Sequence, residues 1–219
     1  MAERPVFIPS LDAPGLVRTL SFRFVRSPGF ALAQKRRNIR ALHESAAKSG
    51  YSPSLEISTK SDEELGRQLS AFSLKVPSQQ FGALPLECAF QGSKVFERGG
   101  PYTDLYRAEA RDAKRDPRLQ ESARLVVFTF ENRRFPLEPK TGFYDWLYIS
   151  ALHRQRDALA PLCRYAGFTD IEFNPGRSID CQARSCALFV ALTKGRLLDE
   201  AMSSEAAFVR LLGQHQPRI

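Results

Sequence analysis

Metal ligands are scarce in this sequence. Cys88, Cys163, Cys181 and Cys186 form no Cys-x-x-Cys unit, and the three His stand apart at 43, 153 and 215. A zinc site is therefore not expected, and free, mostly buried thiols are. No apolar run approaches the ~20 residues needed to span a bilayer. The opening Met1-Ala2-Glu3-Arg4-Pro5 lacks the apolar stretch of a signal peptide, so a cytoplasmic protein without a membrane partner is expected. Gly-x-Gly-x-x-Gly and Walker loops are missing, and with them the familiar ways of cradling a cofactor's phosphates. No His accompanies a Ser or Cys nucleophile motif, which argues against triad hydrolysis. Neither internal repeats nor regular β-α alternation appear, so a doubly wound sheet is excluded.

What is present describes a globular chain with a preference for polyanions. Its 219 residues suit one medium domain, and 43% hydrophobic content with 26% charge is ordinary for a folded protein. Sixteen Phe imply an aromatic-rich core. A formal net charge of +8 and a pI near 9.6 favour polyanions, with nucleic acid as the first candidate and a membrane surface as the second. The cations gather in Lys35-Arg36-Arg37 with Arg40, and again in Arg107, Arg111, Lys114, Arg115 and Arg118. Each cluster taken singly also reads as a solvated helix face.

Residues 4–8 and 17–25 read as strands, and a basic helix is expected from about Leu32 to Lys48, ended by Gly50. A short strand over 55–58 leads to Ser61-Asp62-Glu63-Glu64, which resembles a capping box opening a brief helix. Further strands are expected at 72–76 and 124–130, with a loop over 77–85 and a turn at Glu131-Asn132-Arg133. Helices follow near 139–153, 155–165, 181–194 and 204–213. The fold class is α+β: a mainly helical single domain with a few short strands.

One stretch combines apolar and polar residues in a telling way. In Pro85-Leu86-Glu87-Cys88-Ala89-Phe90-Gln91-Gly92-Ser93-Lys94-Val95-Phe96, the polar Glu87, Gln91 and Lys94 are spaced by four and three, which puts them on one helical face. A carboxylate and an ammonium facing inward must pair or border a pocket; facing outward they are a solvated stripe. A second polar stretch, Phe168 to Arg177, precedes a helix near Cys181 whose N-terminal amides suit a phosphate. Trp146, within Phe143-Tyr144-Asp145-Trp146-Leu147-Tyr148, reads as part of an aromatic core stripe rather than a ligand platform.

The order of these segments resembles the NADAR (YbiA-like) family, and most closely its branch accompanying DarT-type DNA ADP-ribosyltransferase toxins. Leu69-Ser70-Ala71-Phe72 is similar to the family's Leu-Ser-Asn-Phe, and Glu87-Cys88-Ala89-Phe90-Gln91-Gly92-Ser93-Lys94 to its Glu-His-x-x-Gln-x-x-Lys helix. Ala108–Arg115 resembles an Ala-x-x-x-Gly-Arg-like helix, and Gln182–Phe189 an Asn-x-Leu-Gly-x-x-Leu-Met helix. The likeness covers about residues 55–194, leaving 1–54 as an N-terminal extension and 195–219 as a C-terminal helix of a single domain spanning 1–219. Three positions depart: Cys88 stands for His, Arg184-Ser185 for Leu-Gly, and Phe168 for a loop Trp.

The resemblance implies hydrolysis of the bond joining ADP-ribose to guanine in DNA, as antitoxin to a DarT-type toxin; with no metal-ligand spacing in the sequence, a hydrolase without metal or cofactor is expected. It implies catalytic roles for Glu87 and Lys94: Glu87 activates the nucleophile or stabilises a cationic ribose, and Lys94 is proton donor or Schiff-base nucleophile. ADP-ribose contacts are implied for Ser58, Lys60, Ser70, Phe72, Gln91, Phe168, Asp170, Gln182 and Arg184. Lys35, Arg36, Arg37, Arg111 and Lys114 are the candidates for nucleic-acid contact. Partners would be ADP-ribosylated DNA, the ADP-ribose product and a cognate toxin. Two alternatives stay open: a non-catalytic reader of ADP-ribose or nucleic acid, and an antitoxin that acts by binding its toxin.

Overall fold

The computed structural model describes residues 1–214. It is α+β, with its strands gathered in three small sheets. β1 (Ala2–Pro9) and β2 (Val17–Phe24) form an antiparallel ribbon in the register Val6↔Leu20. β1 also pairs antiparallel with β9 (Gly167–Thr169) at Phe7↔Phe168, and β9 runs parallel to β3 (Ser54–Glu56). The sheet order is therefore β2-β1-β9-β3, closed only when the first strand meets one of the last.

Helix α1 (Leu32–Ala47) lays Ile39, Leu42 and Ala46 on this sheet against Val6, Phe24 and Ile171, an i, i+3, i+7 stripe that buries one face. Gly50, at φ +88, ends the turn beyond it. Helix α2 (Glu64–Gln68) begins later than the capping-box reading places it. Its N-cap is Glu63, and Ser61 Oγ accepts the Glu63 amide at 3.2 Å.

The expected loop over 77–85 is instead a hairpin, β4 (Lys75–Ser78) with β5 (Gly82–Pro85); its short alternation and Pro77 hide it in the sequence. Helix α3 (Leu86–Gly92) follows directly, and the chain turns into β6 (Lys94–Phe96) after Ser93. Helices α4 (Ala110–Arg115) and α5 (Arg118–Glu121) lead to β7 (Leu125–Phe130) and β8 (Arg133–Phe135), which complete the sheet β6-β7-β8. Glu131 and Asn132, both at positive φ, form the two-residue turn between them, a geometry matching strand twist.

Helices α6 (Gly142–His153) and α7 (Gln182–Lys194) are apolar nearly all round and cross the core. Where a helix was expected over 155–165, turns and a 3-10 segment at Ala160–Arg164 appear, because Pro161 interrupts the pattern. α8 (Leu198–Ala201) and α9 (Glu205–Gln214) cover one end. Phe7, Leu16 and Val17 from the start of the chain share one core with Phe208, Leu211 and Leu212 from its end. No helix of the described residues is long and apolar enough to cross a membrane.

Candidate active site

A cleft of about 660 Å³ lies between the β1-β9-β3 end of the first sheet and the α3-α6-α7 side of the core, within the usual size of a ligand pocket. A smaller compartment of about 280 Å³ adjoins it, and Glu87, Tyr144 and Asp180 line both. The loop carrying Arg177 and Ser178 covers the junction.

The helix α3 builds the inner wall. Leu86 and Ala89 anchor it in the core, and Gly92 lets it approach Tyr106, where a Cβ would sit 2.5 Å from the ring. Glu87, in the first turn and 5% exposed, accepts Gln91 Nε2 at 2.8 Å through Oε1. Lys114 Nζ lies 3.9 Å from the same oxygen, a partly exposed and hence weak pair. Among the described residues nothing bonds Oε2. Gln91 is also buried, and its own Oε1 has no hydrogen-bond partner. Such an atom costs on the order of 1–3 kcal/mol unless a ligand or water meets it.

Lys94 is not on the helix, as the spacing implied, but is the first residue of β6, opposite Phe128. The helix stops because Ser93 Oγ donates back to Ala89 O at 2.6 Å while the Ser93 carbonyl is taken by Thr129 N at 2.8 Å. The lysine still reaches the compartment, its Nζ 4.7 Å from the centre of the Phe90 ring. Phe90 belongs to an aromatic stack with Phe128 and Phe143, which makes the floor apolar. Burial lowers the Lys94 pKa; Asp180 and Glu87 oppose this, and Lys114 adds to it. Asp180 is raised to about 7, mainly by burial, then by Asp145, with Lys94 acting the other way.

The outer wall is a saturated polar network. Glu56, fully buried, accepts Ser58 Oγ at 2.7 Å, Thr169 Oγ1 at 2.6 Å and the Ile171 amide at 2.9 Å. Burial and the neighbouring Asp170 push its pKa up. Asp170 accepts the Glu172 amide at 3.0 Å and Gln182 Nε2 at 2.9 Å, and Gln182 Oε1 accepts Ala71 N at 2.6 Å. Gly66 allows this wall to form, since a Cβ there would lie 2.0 Å from the Glu56 carbonyl.

The structure thus gathers Glu87, Gln91, Lys94, Ser58, Phe72, Asp170 and Gln182 around the two spaces, with Lys114 at the rim. Other expectations are corrected. Phe168 is 0% exposed and sits in β9 within the core, so it has no free ring face for adenine. Arg184 turns away from the cleft to Asp145, at 2.5 Å, and to Thr141 Oγ1, at 3.1 Å. With Ser185 Oγ also on Asp145 at 2.6 Å, the Arg-Ser pair that replaces Leu-Gly has its own buried counter-charge. Ser70 is buried against Ser73, and Lys60 Nζ donates to Thr59 Oγ1; neither lines the cleft.

Among the cations, Lys35 pairs with Glu172 at 2.8 Å. Arg36 Nε lies 2.9 Å from Asp62 as an ion pair without hydrogen-bond alignment. Arg37 and Arg111 are exposed. Cys88 faces α4, donating to Ala108 O at 3.1 Å, and burial lifts its thiol to about 11. Trp146 packs half-buried on the core, as the stripe implied. Among the described residues no group of His, Cys, Asp or Glu is placed to hold a metal ion; His215 lies outside them.

Sequence reasoning missed Arg4, Tyr144 and Asp180. Arg4 comes from β1 and lines the cleft, with its Nε buried and unpartnered. Arg4 shares a strand face with Val6, and a cation on that apolar face was the available signal. These features coincide with a family match: the family model for the DarT1-associated NADAR antitoxins aligns with residues 2–218. The chain belongs to that family. The match reaches well beyond residues 55–194, so the first 54 residues of this NADAR protein are part of the family's body, as Arg4 in the cleft already indicates. Membership makes it an antitoxin linked to a DarT1 toxin. Among curated proteins nothing matches the chain.

Proposed function

We propose that this antitoxin is an N-glycosidic hydrolase that removes ADP-ribose from guanine bases of DNA. The observation that carries the reading is the unpartnered Gln91 Oε1 beside the Glu87 carboxylate, in a compartment that Lys94 and Asp180 also line. A buried acceptor next to a buried carboxylate suits a sugar with hydroxyl donors and a carbon that becomes cationic.

The ribose occupies the small compartment, its hydroxyl donating to Gln91 Oε1. As the bond from the ribose anomeric carbon to the guanine nitrogen breaks, Glu87 stabilises the cationic sugar and accepts a proton from the attacking water. The departing nitrogen takes a proton from Lys94, whose pKa burial lowers, or from Asp180, whose pKa burial raises to about 7. In the alternative course neutral Lys94 attacks C1 of the ring-opened sugar, the guanine nitrogen leaves with a proton, and water hydrolyses the resulting Schiff base to free ADP-ribose and the lysine amine. The larger cleft takes the rest of ADP-ribose: Arg4 and Arg177 face the diphosphate, and Ser58, Asp170 and Gln182 meet hydroxyl or base edges.

The test is release of free ADP-ribose from an oligonucleotide modified on guanine, beside one modified on thymidine. Release from guanine alone, reduced about a thousandfold in Glu87→Gln, is expected. Tight binding of ADP-ribose without release overturns hydrolysis in favour of a reader. Toxin neutralisation that survives Glu87→Gln overturns it in favour of direct toxin binding.

A further inference from the structure

Between Ala13 and His43 the chain carries seven Arg and Lys and not one Asp or Glu. This stretch includes β2, the following loop and most of α1. Arg23, Lys35, Arg36 and Arg40 are matched by acids from elsewhere, whereas Arg18, Arg26 and Arg37 are exposed and form no ion pair among the described residues. The same loop displays the most exposed apolar side chains of the region: Phe30 is 91% exposed and Val25 74%.

Exposure here is constructed. Gly29, at φ +115, makes a turn that other residues rarely adopt. Asn38, buried in α1, holds the loop through two hydrogen bonds to Ser27, accepting its amide at 2.7 Å and donating to its carbonyl at 3.0 Å. The pinned loop presents Phe30 to solvent with the Lys35 ammonium 6.0 Å from its ring centre. Lys35 in turn bonds Glu172, which lines the cleft, so this aromatic stands beside the cleft mouth. On the other rim Phe72, 41% exposed, carries Lys114 at 5.7 Å.

We infer that the Phe30 loop is a stacking post for an unpaired base flanking the nucleotide in the cleft, with Arg26 and Arg37 on the adjoining phosphates. This inference rests on the proposed nucleic-acid substrate. An exposed ring beside cations, with Arg18, Arg26 and Arg37 left without acidic partners among the described residues, suits a strand that offers both base faces and phosphates. A protein partner would not require the stretch to be purged of acids.

The test compares wild type with Phe30→Ala and Phe30→Trp on two substrates: an oligonucleotide with several nucleotides on each side of the modified guanine, and ADP-ribosyl-guanosine alone. Phe30→Ala is expected to lower kcat/KM about tenfold on the oligonucleotide and to leave the nucleoside unchanged. Phe30→Trp retains activity, and abasic flanks erase the difference between wild type and Phe30→Ala. Equal kcat/KM for wild type and Phe30→Ala on the oligonucleotide overturns the inference. Fluorescence anisotropy with unmodified single-stranded DNA reads the surface without chemistry. A Kd about tenfold weaker in Phe30→Ala upholds the post even where neither substrate turns over, a result that would fail the hydrolase reading alone. Unchanged DNA binding with a changed oligomeric state or lost toxin association overturns the post in favour of a protein interface.

Discussion

The two walls of the cleft handle buried polar groups in opposite ways. On the outer wall every oxygen of Glu56 is occupied, by Ser58, Thr169 and the Ile171 amide, and Asp170 and Gln182 continue the network to Ala71. On the inner wall Gln91 Oε1 has no partner, Glu87 shares one oxygen, and Lys94 rests on a ring with no ion pair among the described residues. A satisfied network fixes shape; an unsatisfied one holds free energy until something binds. Within one cavity, one wall uses its polar atoms to hold the chain and the other leaves them open toward the space.

Substitutions should divide along the same line. Lys94→Ala is expected to cost about a thousandfold in turnover with little change in Tm, and borohydride trapping of a covalent sugar adduct on wild type but not on this variant distinguishes nucleophile from proton donor. Glu56→Ala should do the reverse. It strands three donors and is expected to cost about 3 kcal/mol in urea unfolding. Wild-type stability in that variant would erase the distinction between the walls.

A smaller effect concerns His43, whose Nε2 meets Thr169 Oγ1 at 2.8 Å and whose pKa burial lowers to about 4, with Asp62 opposing. Its folded pKa lies below the ordinary 6.5, so the stability it confers is present above pH 6.5 and lost as pH falls toward 4. The loss is about 2–3 kcal/mol, and His43→Asn should flatten that slope. Smallest is Gln91→Leu: roughly tenfold lower kcat/KM, with stability changed by less than about 1 kcal/mol because relief of the unpaired acceptor offsets the lost hydrogen bond to Glu87.

Much of this was legible before the structure. Glu87 and Gln91 were found because helical spacing is a local signal, and α1, β2 and β7 because periodicity and turn residues mark them. Lys94 was found by spacing that its backbone does not follow, since the helix ends one turn early yet the side chain still arrives. Phe168 was misread because Gly-Phe-Thr is too short to tell a buried strand from a loop. Arg184 was misread because its partner, Asp145, is 39 residues away. Arg4 and Asp180 were silent for the same reason: what makes them notable is a neighbour that only folding supplies.

The pairing of Phe7 with Phe168 has a consequence in time. Synthesis runs at about 5–20 residues per second, so β1 waits on the order of ten seconds for the strand that seats Arg4 at the cleft. No nascent fragment and no N-terminal half possesses both rims. The cleft is therefore assembled only in nearly complete chains, and a product truncated before Gly167 carries Arg4 without the strand that seats it.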